Sequence, residues 1–253
     1  MIQDRPAAHY VLEIDEVVRE GHKPRGVGTR RVLVLEEQKV KTYACGTLEV
    51  MEYSLRLLRL KPGCRWSDAA IHSFDASYHH THQTVKLTSH GLIGGYVLLD
   101  DIRVMGDRLG TYLMNRIVGW AKHWPDAEVW PIHLDKGHAI GENKERRNRF
   151  YEQFGIRFDF DDPTTRESGR SHPMKVHELV QVDPEKYRNI REVPLDVFLG
   201  DMESTVARLR GDVDRLQRVN AELARDWTQM IKRPFATALQ LTFSGWRWRL
   251  WRS

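Results

Sequence analysis

The stretch Val104-Met-Gly-Asp-Arg-Leu-Gly-Thr-Tyr-Leu113 reads as a strand entering a glycine-containing turn that opens a helix. Such a turn aims several unpaired backbone N–H groups at one spot, and the helix dipole adds partial positive charge there. A phosphate or pyrophosphate is the natural guest. A second segment, Asn148-Arg-Phe-Tyr-Glu-Gln-Phe-Gly-Ile156, sets Phe150 and Phe154 one helical turn apart, as core residues. It turns Tyr151 to another face, where a phenol can reach a neighbouring cleft. Asp100 and Asp101 precede the turn, and strand alternation sends one of them into the cleft as a candidate base. Asp101 is preferred, with Glu142, at the start of the next helix, in reserve. His79, His80 and His82 crowd together with His72 nearby, and on a strand His80 and His82 would share a face. No cysteine or carboxylate follows at ligand spacing, so no metal is expected, and a substrate-facing or plain polar patch is the reading.

Taken together, strand, Gly-turn, a helix ending in Trp120-Ala-Lys-His123, strand, then Arg149-Phe-Tyr-x-x-Phe-Gly-Ile156 and a further strand resembles the GNAT superfamily of acyl-CoA-dependent N-acetyltransferases. The resemblance covers about residues 92–180, including Ser171-His-Pro-Met174. It implies acetyl-CoA as co-substrate, its pyrophosphate bound through backbone amides along Val104, Met105, Gly106, Asp107, Arg108, Leu109, Gly110 and Thr111. It also implies direct attack by an amine, with Tyr151 as the general acid for the departing thiolate, to which strand alternation adds Asp101 as the base. The chemistry is coherent, because acyl transfer needs a neutral amine, a donor for the oxyanion and a proton for a basic alkyl thiolate. In the family's register Arg108 replaces a glycine, and its Cβ makes a positive φ costly.

The elements that must position these residues follow from periodicity. Residues 1–60 are strand-like, with Gly26 and Gly28 punctuating the first connection and Lys61-Pro-Gly63 a turn. A short helix is expected over 66–74, capped by Ser67 or Asp68, then strand over 84–104. Leu113, Ile117, Trp120, Ala121 and Trp124 recur at helical steps within Gly110–Trp124, and Pro125 ends that helix. A strand is expected over 127–134, a helix over Glu142–Phe154 closed by Gly155, and strands over 156–160 and 174–182. Lys144, Arg146, Arg147 and Arg149 are expected to coat the solvent side of the second helix.

From Leu195 to Met230 apolar residues alternate steps of four and three: Leu195, Leu199, Met202, Val206, Leu209, Val213, Leu216, Asn220, Leu223, Trp227 and Met230. This is a heptad seam of about five repeats, with Leu favoured at d, Val at two a seats and Asn220 at a. That choice suits a parallel homodimer with a fixed register. The net charge of +4 is concentrated beyond it: residues 232–253 carry Lys232, Arg233, Arg247, Arg249 and Arg252 with no acid, leaving −1 for the rest. Ile231, Phe235, Leu239, Phe243, Trp246 and Leu250 make an apolar stripe in that tail, which suits a membrane surface, another protein or, through Trp stacking, nucleic acid.

The 253 residues suit one elaborate domain plus an appendage, and 41% hydrophobic residues exclude wholesale disorder. No run of eighteen apolar residues is present, and the start MIQDRPAAHY lacks a signal peptide, so a cytoplasmic protein is expected. Cys45 and Cys64 are expected to be reduced core thiols. The expected fold class is α/β (α+β), a GNAT-like mixed central sheet over residues 1–190 with flanking helices, followed by a coiled coil at 195–231 and the tail at 232–253. The expected function is acyl transfer to an amine. The alternative is a catalytically degenerate GNAT-like scaffold acting through its coiled coil and tail.

Overall fold

A computed structural model of the chain describes residues 5–15, 28–42, 48–59, 71–87, 107–139, 143–232 and 235. It divides into two compact units, Met1–Leu195 and Asp196–Ser253.

The first unit is built on a meander. Strands β1 (Arg5–Ile14), β2 (Arg30–Thr42), β3 (Leu48–Arg59) and β4 (Ile71–His79) pair antiparallel in sequence order, and β5 (Thr84–Lys86) adds to β4. Alternation decides which face is covered. On β3, Met51, Tyr53, Leu55 and Leu57 are buried while the residues between them are half-buried. On β4, Phe74, Ala76 and Tyr78 continue the same buried face. The opposite face carries charged cross-strand pairs, such as Arg56 donating to Glu37 at 2.5 Å.

Helix α1 (Leu109–Ala121) covers the buried face with Leu113, Met114, Ile117 and Val118. It then leads to β6 (Glu128–Val129), which pairs parallel with β5 through Val85 and Val129. β10 (Ile190–Pro194) returns to the far edge and pairs antiparallel with β1, so that among the described residues the sheet order is β10-β1-β2-β3-β4-β5-β6. A second, three-stranded sheet joins β7 (His133–Leu134), β9 (Gly169–Ser171) and β8 (Phe158–Phe160), with α2 (Asn143–Glu152) between β7 and β8 in sequence. The architecture is therefore α+β with a large, mostly antiparallel sheet.

Several sequence expectations change. Residues 71–74 belong to β4, where Ile71 to Phe74 pair with Leu58 to Leu55, so they are strand rather than helix. The strand expected over 127–134 is broken around Pro131 into β6 and β7, which join different sheets. Met174–Val182 is no strand: a 3-10 turn occupies Val176–Glu178, and Val176, Leu179 and Val182 are buried at three-residue spacing. The other two helices expected in the first unit do form: α1 ends four residues before Pro125, and α2 ends three residues before Gly155.

All but the first residue of α3 (Leu195–Lys232), a helix of 38 residues with Lys232 in its last turn, belongs to the second unit. Every a and d side chain from Leu199 to Met230 is exposed; Leu209 is at 54%, Leu216 at 59% and Leu223 at 52%. Among the described residues no helix is long and apolar enough to cross a membrane.

Candidate functional site

Two places on α1 carry polar groups that its packing does not require, one at its start and one along its sheet-facing flank. At the start, Arg108 occupies the N-cap with φ 65° and ψ 9°, a left-handed conformation. The sequence argued against a positive φ here, yet the Arg side chain takes the glycine-like geometry, and its guanidinium donates to the carbonyl of Lys186. Arg108 provides no side-chain cap, and among the described residues no acid lies in the first turn of the helix. Asp107 is fully buried and its carboxylate is ion-paired with Arg30, while its carbonyl accepts from Asn189 Nδ2 at 3.0 Å. Its side chain is thus committed to anchoring the turn. Leu109 is buried, and Gly110 and Thr111 are half-buried.

Thr111 Oγ1 accepts a 3.3 Å hydrogen bond from Gln153 Nε2, which ties the first turn of α1 to the residue that follows α2. α2 ends in a glycine stop. Gly155 has φ +82° and its N–H bonds to the carbonyl of Glu152 at 3.0 Å, while Ile156 N–H reaches the carbonyl of Tyr151 at 3.3 Å. Tyr151 itself is 7% exposed and packs edge-on against Phe150 and Phe158, with ring centres at 5.1 and 5.5 Å. Burial pushes its phenol up to about 12, against which the Arg147 charge pulls down. Arg147 is not a solvated charge as the sequence suggested. It is half-buried, donating to the carbonyls of Asp135 and Glu167 at 2.8 Å each, and so pins two loops to α2.

Asp100, Asp101, Val104, Met105, Gly106 and Glu142 lie outside the described residues, as do Cys45 and Cys64. His80 and His82 fall in the turn after β4 instead of on one strand face.

The second place was not foreseen. Tyr112, Arg116, Trp120 and Trp124 follow at steps of four along and just beyond α1, and each meets a residue of successive strands. Tyr112 lies by Tyr10 of β1 at 3.4 Å between hydroxyls, and Arg116 pairs with Glu36 of β2. Trp120 stacks on Tyr53 of β3 at 5.4 Å, and Trp124 on Tyr78 of β4 at 4.2 Å. Four helical residues rise about 6 Å and strands lie about 4.8 Å apart, so an obliquely crossing helix matches one position to each strand. Hydroxyls and charges knit this stripe: Tyr53 donates to Glu36 at 2.8 Å, and Tyr112 to Glu192 of β10 at 2.7 Å. Burial above all raises the phenols of Tyr10, Tyr53 and Tyr112, and nearby carboxylates add to it. Alongside lies a cleft of about 880 Å³ between α1 and strands β10, β1, β2 and β3. The signal for it was present as the i, i+4 repeat of Tyr, Arg and Trp beside the purely apolar stripe.

Neither a family model, a curated protein nor a solved structure matches this chain.

Proposed function

We propose that the protein is an acyl-CoA-dependent N-acyltransferase of GNAT type, acting in the cytoplasm as a homodimer joined by α3. One observation carries the reading. A parallel β5–α1–β6 unit has a helix start without a side-chain cap, and that start is hydrogen-bonded through Thr111 to Gln153, two residues beyond Tyr151. In this reading the α1 amides receive the pyrophosphate of acetyl-CoA, and left-handed Arg108 keeps the turn tight enough for them to converge. Tyr151, neutral up to about pH 12, remains a proton donor at physiological pH. Residues Val104 to Gly106 complete the coenzyme loop, Asp101 is the base, and no metal takes part. The exposed a and d residues of α3 support the dimer, and the basic aromatic tail at 232–253 gives it a membrane or nucleic-acid attachment.

The burial of Tyr151 favours a second reading, in which the domain is a catalytically degenerate module that acts as a scaffold. Thermal unfolding with millimolar acetyl-CoA, and with desulfo-coenzyme A as control, separates the two. A ligand bound only by the native state at a hundredfold excess over Kd stabilises by about 2.7 kcal/mol. A shift that disappears when Gly110 is replaced by a bulky residue supports the enzyme, and Tyr151→Phe is then expected to lower turnover with binding intact. No shift favours the scaffold.

A further inference from the structure

We propose that the cleft between α1 and strands β10, β1, β2 and β3 is a binding site for a planar organic cation, of amidinium or guanidinium type, on a flat apolar body. Its volume of about 880 Å³ lies within the range of small-molecule sites. Its walls include the rings of Tyr10, Tyr53 and Trp120, and its charged groups are Glu36, Arg116 and Glu192, two carboxylates against one guanidinium.

The carboxylates differ in what they still have to offer. Glu36 is committed on both oxygens, accepting from Tyr53 on one and Arg116 on the other. Glu192 meets the described residues through Oε1 alone, from the Tyr112 hydroxyl at 2.7 Å and Arg116 Nη1 at 3.8 Å, and its side chain is 45% exposed. A planar cation can therefore reach Glu192 without displacing an existing pair, and charge-assisted hydrogen bonds to a carboxylate are the strong ones. The Arg116 guanidinium carbon lies 5.8 Å from the centre of the Tyr10 ring, an internal example of a planar cation against an aromatic wall.

Gly119 is the second mark of a site. It sits inside α1, where glycine costs about 1 kcal/mol relative to alanine, and it lines the cleft. A Cβ there would meet only the end of the Gln181 side chain, at 3.0 Å, so close packing does not account for the missing side chain. Its absence leaves the cleft open. The assignment does not depend on acyl transfer, since it uses the flank of α1 rather than its start.

The test is calorimetric titration of the full-length protein with benzamidine, benzamide and benzoate, which share one flat shape and differ in charge. Benzamidine should bind saturably and at least about tenfold more tightly than the other two, the scale of one charge-assisted hydrogen bond. Glu192→Gln should bring benzamidine and benzamide to parity. Gly119→Leu, which improves helix propensity, should abolish binding while the unfolding midpoint holds. No saturable binding of benzamidine, equal binding of benzamide or benzoate, or a charge preference that survives Glu192→Gln would overturn the proposal. The Glu192→Gln result decides the matter even if the leucine variant does not fold.

Discussion

Gly155 is where the fold and the candidate site depend most directly on one residue, so Gly155→Ala gives a sharp test. The residue stands at φ +82°, and a Cβ would come within 3.1 Å of the Glu178 carbonyl and 3.3 Å of Val180 Cγ2. Left-handed backbone costs an alanine about 1–2 kcal/mol. Tight contact with a fixed backbone carbonyl adds about 1 kcal/mol, at the lower end for overpacking. The lower entropy of the unfolded alanine chain returns about 0.4–1 kcal/mol. The expected net loss is about 2 kcal/mol, a fall of roughly 4–8 °C in Tm for a unit of this size. The assay is urea unfolding followed by tyrosine and tryptophan fluorescence. Gly155→Asn separates the two costs, because asparagine tolerates the left-handed region but brings the same Cβ. An asparagine variant close to wild type assigns the loss to φ, and one as weak as alanine assigns it to the carbonyl contact. An alanine variant with an unchanged midpoint would refute the reasoning and remove the glycine stop as the device that fixes Tyr151.

Three further outcomes are expected. Tyr112→Phe should destabilise by about 1–2 kcal/mol in urea unfolding, since it removes the donor that Glu192 accepts and breaks the link to Tyr10. The Tyr151 phenol is raised to about 12 from an ordinary value near 10, so the unfolded state loses its proton first. Stability from this group is present below pH 10 and lost between about pH 10 and 12, and Tyr151→Phe should make the stability curve shallower in that window, the remaining slope coming from Tyr10, Tyr53 and Tyr112. Leu209→Glu with Leu216→Glu, both at exposed d positions, should leave the first unit's unfolding unchanged and turn a dimer into a monomer by sedimentation equilibrium. A monomeric wild type would end the coiled-coil reading.

What the sequence made legible was local. Pro125 and Gly155 mark helix ends by conformational rules that need no tertiary partner, and the heptad from Leu195 writes α3 out in full. What stayed hidden depended on residues far apart in the chain. β10 reads as an unremarkable Ile190-Arg-Glu-Val-Pro194, and only its pairing with β1, Tyr10 to Pro194 through Ile14 to Ile190, makes it a strand. Around Val176, Leu179 and Val182 an apolar-rich run suggests a strand, but their spacing of three fits the turn that buries one side. Phe154 was foreseen as core and is fully buried, while Tyr151, set on another face by the helical period, is nearly as buried because β8 brings Phe158 against it. The packing of this phenol depends on a strand that the helix wheel does not contain.

The same argument explains why α1 carries more than one role. Its apolar residues Leu113, Ile117 and Ala121 repeat at steps of four and face the sheet, which is all that a helix covering a sheet needs. In the parallel row Tyr112, Arg116 and Trp120, the two aromatic residues also join the core, but the row takes a guanidinium and a phenol out of water, a cost offset by pairing with Glu36, Glu192 and Tyr10. An apolar row would cover β1 and β2 without that cost. Gly119, on the open side of the same helix, gives up helix propensity as well. Two departures from what stability alone would choose, meeting at one cleft on one helix flank, mark this flank as the part of the sheet cover shaped by something other than folding.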